Sequence, residues 1–99
     1  MRARYVPRAQ RDVEEIYTRN VENSPDRARR VEVAMRGDVE LIELNPEIGH
    51  ATGHRQARRW AMPDFDYTIF YRINWEGERI DILRVVDSRR VRNLSRVPR

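Results

Sequence analysis

Arginine is the commonest side chain in this sequence that could do chemistry. Arg58 and Arg59 stand together ahead of Trp60. Arg84 interrupts the run Ile80-Asp81-Ile82-Leu83-Arg84-Val85-Val86, and Arg89 and Arg90 follow Asp87-Ser88. A guanidinium is planar, permanently charged and pairs two-toothed with carboxylate or phosphate, but it cannot serve as a general base near neutral pH. The set therefore suits the binding of an anionic partner and the stabilisation of negative charge. Candidates for proton transfer or metal ligation are His50 and His54, at i, i+4. That spacing would put both imidazoles on one face of a helix. Here they fall in a loop-like segment around Gly49 and Gly53, where two polar loop residues are the plainer reading. No metal site and no cofactor are expected.

Composition narrows the classes. All 20 basic residues are arginine and none is lysine, so no lysine can act as base or nucleophile; the net charge is +4. A GC-rich coding bias is the plain explanation of that usage, yet the resulting surface still suits acidic partners or nucleic acid. Cysteine is absent, which excludes disulfides and thiolate metal sites. Charged residues make up 36% with both signs interleaved, a decorated surface over a periodic apolar pattern rather than a disordered chain. The 99 residues fit one domain, 1–99. A chain of this size buries roughly 60–70% of its unfolded surface. No run of 18 apolar residues occurs and Met1–Pro7 has no signal-like apolar core, so no membrane association and a cytoplasmic location are expected.

The elements that must position these arginines follow from hydrophobic spacing. Residues 2–6 read as a short strand stopped by Pro7. Ala9, Val13, Ile16, Tyr17 and Val21 predict an amphipathic helix over 8–22. Ser24-Pro25-Asp26 is an N-cap, a first-turn proline and a dipole-matched acid, and opens a second helix over 25–45. Ala28, Val31, Met35, Val39 and Ile42 form its stripe, which Leu41 widens. Gly37 suggests a point of close helix packing, and Asn45-Pro46 ends the helix. Residues 46–57 read as loop. Arg59 to Met62 alternate as a strand, and Tyr67, Ile69, Tyr71, Ile73 and Trp75 alternate strictly, their shared face reading as core. After a Glu76-Gly77 turn the last strand spans Ile80 to Val86. Strict alternation there puts Ile80, Ile82 and Val86 on one face and Asp81, Leu83 and Val85 on the other. Arg84 then lies among apolar residues and needs a partner or an open edge. Val91, Leu94 and Val97 suggest a short helical turn in the tail. The expected fold class is α+β: an N-terminal strand and a helical hairpin packed on a small antiparallel sheet, in the order β-α-α-β-β-β.

Several landmarks, in this order, resemble the ParE/RelE superfamily of small bacterial toxins, on its ParE branch. They are Ala9 and Asp12, Leu44-x-Pro46-x-x-Gly49, Arg58 five residues before Pro63, Tyr67-x-Ile69-x-Tyr71-Arg72, Ile82-Leu83-Arg84-Val85, and Arg89-Arg90. The resemblance covers about residues 5–90. It implies the toxin of a type II toxin–antitoxin pair that inhibits DNA gyrase by binding rather than by catalysis. Arg58, Arg59, Arg84, Arg89 and Arg90 would then face the target or partner. It also implies a cognate, ParD-like antitoxin that folds on binding, in a toxin–antitoxin hetero-oligomer, seated between the helices or on a free sheet edge. The basic balance predicts acidic residues in that segment. The sequence departs from the ribonuclease branch. Asp87 stands where many relatives have histidine, lysine is absent, and Leu94 and Ser95 occupy the region of a C-terminal tyrosine. A RelE-like mRNA interferase is the alternative, with His50, His54 or Arg58 as the test positions. A nucleic-acid-binding or inactive homologue, stacking bases on Trp60, Tyr71 or Trp75, is the third reading.

Overall fold

A computed structural model of the chain describes residues 1–91. Its elements are β1 (Arg2–Tyr5), α1 (Pro7–Asn23), α2 (Pro25–Leu44), β2 (His50–Ala51), β3 (Ala57–Ala61), β4 (Tyr67–Asn74) and β5 (Arg79–Asp87), then a 3₁₀ turn over Ser88–Arg90. The α+β class and the element order match the expectation. The turn expected around Leu94 and Val97 lies outside the described residues.

Both helices begin where the local chemistry directs. Pro7 and Pro25 occupy first-turn positions, and the Ser24 hydroxyl accepts the Arg27 N–H at 3.2 Å. Pro7 also ends β1, just after the Val6 N–H has bonded to the Ile82 carbonyl at 3.0 Å. The two helices pack side by side on one face of the sheet. Ile16, Val31, Met35 and Ile42 meet Ile69, Tyr71, Ile80, Ile82 and Val85 in the main core. Two polar residues stand within the buried stripe of α1, Asp12 and Asn20. The Asn20 amide donates to the Tyr67 hydroxyl at 3.0 Å and accepts from Arg27 Nε at 3.0 Å, joining α1, α2 and β4.

The sheet order is β1-β5-β4-β3-β2. It differs from the expectation in four ways, each with a local cause. First, β1 lies parallel to β5, with Arg2 beside Arg79 and Tyr5 beside Ile82, so the sheet is mixed. Alternation has the same period in parallel and antiparallel strands and carries no direction. Second, His50–Ala51 of the expected loop pairs with Arg58 and Arg59 as a two-residue edge strand. Third, the β4–β5 register slips by one: Phe70 faces Arg84 but Tyr71 faces Ile82, so Leu83 is a bulge. A one-residue insertion flips facing, so Val85 joins the core of Ile80 and Ile82 while Val86 joins Phe70, Val91 and Leu83 in a second cluster. Fourth, β4 ends at Asn74, so Trp75 lies in the turn and is 60% exposed rather than core. Leu41, expected to widen the helical stripe, is exposed as well. A Cβ placed on Gly37 would meet no atom within 4 Å, so close packing is not what glycine serves there.

No helix among the described residues is long and apolar enough to cross a membrane.

Candidate functional site

The predicted residues fall into two groups on the sheet. Arg58 and Arg59 lie on β3, while Arg84, Arg89 and Arg90 lie on β5 and the turn after it. The register links them through one row: His50 faces Arg59, Arg59 faces Phe70, and Phe70 faces Arg84.

Arg58 is a clamp. Its Nη1 donates to the Gly49 carbonyl at 2.8 Å and to the Glu47 carbonyl at 3.2 Å. Its ladder partner Tyr71 works on the same segment, the hydroxyl donating to the Pro46 carbonyl at 2.6 Å and accepting the Gly49 N–H at 2.9 Å. Burial pushes the Tyr71 hydroxyl's pKa up, against the pull of the Gly49 N–H and the Arg58 charge. A Cβ on Gly49 would stand 2.7 Å from the Tyr71 hydroxyl and 2.9 Å from the Arg59 carbonyl, so only glycine fits. Pro46, Gly49, Arg58 and Tyr71 are therefore parts of one device that shapes the chain between α2 and the sheet. Arg59 is half-buried beside it. His50 is exposed on the edge strand and His54 lies in the following turn. Among the described residues no group of three His, Asp or Glu is placed to hold a metal ion.

Arg84 is almost fully enclosed, its side chain 4% exposed. It meets Asp12 of α1, with Nε at 2.7 Å from Oδ2 and Nη2 at 3.2 Å from Oδ1. The same carboxylate accepts the Val85 N–H at 3.0 Å and Arg8 Nη1 at 2.7 Å. β1 covers β5 only as far as Ile82, and Asp12 satisfies the edge beyond it. Arg84 thus helps to anchor α1 on the sheet. Asp12 is named from the sequence only as a landmark, not as the partner of Arg84. Its signal was present: an acid in one apolar stripe and a base in another are each other's natural partners.

Arg89 and Arg90 are exposed. Arg89 folds back on Asp87, with Nε at 3.0 Å and Nη2 at 2.6 Å from its oxygens, and its own N–H bonds the same carboxylate at 2.9 Å. The Arg89 side-chain bonds hold the Asp87 pKa down at about 2. Arg8, Arg19, Arg84, Arg89 and Arg90 surround a depression of about 350 Å³ that also holds Asp12, Glu15 and Asp87.

A larger concavity lies elsewhere, along the seam of α1 and α2. It holds about 610 Å³ over a floor that includes Val13, Ile16, Val31, Met35 and Val39, with Tyr17 48% exposed on one wall.

Over residues 3–92 the chain matches the family described as the ParE toxin of type II toxin–antitoxin systems, parDE. The chain belongs to the ParE toxin family. No curated protein sequence matches it. Among solved structures it is similar to one described as a chromosomal ParDE toxin–antitoxin system from P. aeruginosa. The two are 20% identical, the match covers 88% of this chain and 95% of that one, and the TM-score is 0.75. At that identity the likeness is one of fold. Within the ParE fold seen here, the landmark residues do structural work: Ala9 and Ile82 in the core, Asp12 with Arg84 at the bared edge of β5, Gly49 and Arg58 with Tyr71 around Pro46.

Proposed function

We propose that this ParE-family toxin inhibits DNA gyrase by binding, and that a cognate antitoxin silences it by laying a segment in the α1–α2 groove. The family match over residues 3–92 carries the reading. Two features of the molecule support it. The exposed Arg90, and the side of Arg89 turned away from Asp87, offer guanidinium N–H groups to the acidic surface of a gyrase–DNA complex. The groove offers a long apolar floor of the kind that takes a folded-on-binding segment. In this reading Arg58 and Arg84 act through the shape they maintain, and Arg59 lies in the row between the edge strand and Phe70. The working assembly is a toxin–antitoxin hetero-oligomer.

Gyrase supercoiling with the purified chain is the test. Inhibition with accumulating cleaved plasmid is expected. The double substitution Arg89→Glu, Arg90→Glu should weaken it by on the order of tenfold while leaving the fold intact. Normal supercoiling by a folded sample would remove gyrase as the target and turn attention to ribosome-bound mRNA. For the antitoxin, co-expression should restore growth and the two chains should co-purify. Tyr17→Ser, on the groove wall, should weaken that association.

A further inference from the structure

We infer that the segment filling the α1–α2 groove is an amphipathic helix bordered by basic residues, a charge pattern opposite to the one that this cationic chain calls for as a whole. The inference rests on reading the groove as the antitoxin's seat. It begins with the local charge. Four carboxylates line the groove, Glu14 on α1 and Glu32, Glu40 and Glu43 on α2, against a single cation, Arg36. The net local charge is −3 in a chain whose total is +4. Arg36 is already committed to Glu32 at 3.1 Å, and Glu43 accepts the Ala3 N–H at 2.7 Å. Glu14 and Glu40, one on each helix, have no ion-pair partner among the described residues, and both are exposed. A basic side chain arriving at either border would make a new pair as its stem covers apolar floor. An acidic one would meet repulsion from both walls.

The helical form follows from backbone chemistry. The walls are two α-helices whose central N–H and C=O groups already bond within the helices. An extended segment laid between them would bury its own backbone groups without partners, whereas a helix brings its own. The seat runs from Ala28 to Glu43 along α2, roughly 22 Å at the helical rise per residue, or about four turns. The acidic residues expected from net charge alone would then belong outside the groove, toward Arg89 and Arg90.

Two labelled peptides of about 18 residues, long enough for the seat, test this against the full chain by fluorescence anisotropy. They share one Leu/Ile stripe; one has arginine borders and the other glutamate borders. At about 0.01 M salt, where the Debye length is roughly 30 Å, the basic peptide should bind at least about tenfold more tightly. The gap should close at about 1 M salt, where the Debye length is roughly 3 Å. The double substitution Glu14→Gln, Glu40→Gln should abolish the preference, with circular dichroism confirming an unchanged fold. Equal or tighter binding of the acidic peptide overturns the inference. If both peptides bind alike and both weaken in Tyr17→Ser, the groove remains a docking site and only the basic border falls. If Tyr17→Ser affects neither, the groove reading itself falls, and the border with it.

Discussion

Asp12 serves three donors at once, Arg84, Arg8 and the Val85 N–H, and the two side chains of the pair are each 4% exposed. Replacing Asp12 by alanine removes the carboxylate that faces a buried guanidinium, and breaking a buried pair of this kind costs about 3–5 kcal/mol. Urea denaturation should register that loss, and a change of less than about 1 kcal/mol would mean that the ion pair is not what fixes α1. Replacing both members by apolar residues should recover much of it. Two other carboxylates respond to pH in opposite senses. Asp87 is held at about 2, below its ordinary 3.8, by Arg89. Its contribution is therefore complete above 3.8 and disappears as pH falls through about 2. Arg89→Ala should flatten the acid limb of a stability–pH curve across that window. Asp38 is raised by burial and by Asp64, against a lowering contribution from Trp60. It adds stability below its ordinary value of 3.8 and loses it as pH rises through the raised value. Asp38→Asn should stabilise the protein at neutral pH and remove that gain on acidification. At this scale the sequence marked Arg58 and Arg84 as unusual by position. Arg84 finds Asp12 across 72 residues and Arg58 finds the Gly49 and Glu47 carbonyls across a loop, and spacing cannot reveal either set of partners.

The helices were legible as elements because helical spacing and the Ser24-Pro25 start are local signals, correct here to within one residue at each end of the hairpin. The strands were legible in place but not in detail. Leu83 looks like any other strand residue, and nothing local says that it has no partner on β4. The outlying two-residue β2 exists because β3 offers it an edge, and Trp75 is exposed because the turn begins one residue earlier than the alternation suggests. The glycines separate two cases that sequence treats alike. Gly37 sits in a helix interior with open space around it, so Gly37→Ala should raise stability by about 1 kcal/mol, read as a higher denaturation midpoint. Gly49 is enclosed by Tyr71 and the Arg59 backbone, so Gly49→Ala should destabilise and detach the 46–49 segment. Faster exchange of the backbone N–H at position 49, which bonds the Tyr71 hydroxyl, would register that change. Equal effects of the two substitutions would contradict the packing described.

Across the whole molecule, net charge misleads because the charges are segregated: the α1–α2 groove is acidic, while the end of β5 presents arginines. The family resemblance supplied the order of parts, but the groove proposed as the antitoxin's seat needed both helices in place to be visible. The same holds for closure of the sheet. β1 pairs with β5, Arg2 beside Arg79, and Asp12 reaches Arg84 across 72 residues. A chain cut after Glu78 should therefore show helical signal without a cooperative unfolding transition, and a sharp transition in that fragment would contradict this. Translation makes the separation a matter of time. At about 5–20 residues per second, roughly 4–15 s pass between synthesis of β1 and arrival of its neighbour β5. During that interval β1 has no neighbour to pair with and Asp12 has no Arg84 to meet. The strand edge and the carboxylate that β5 later covers stay open to other partners for the whole of that delay.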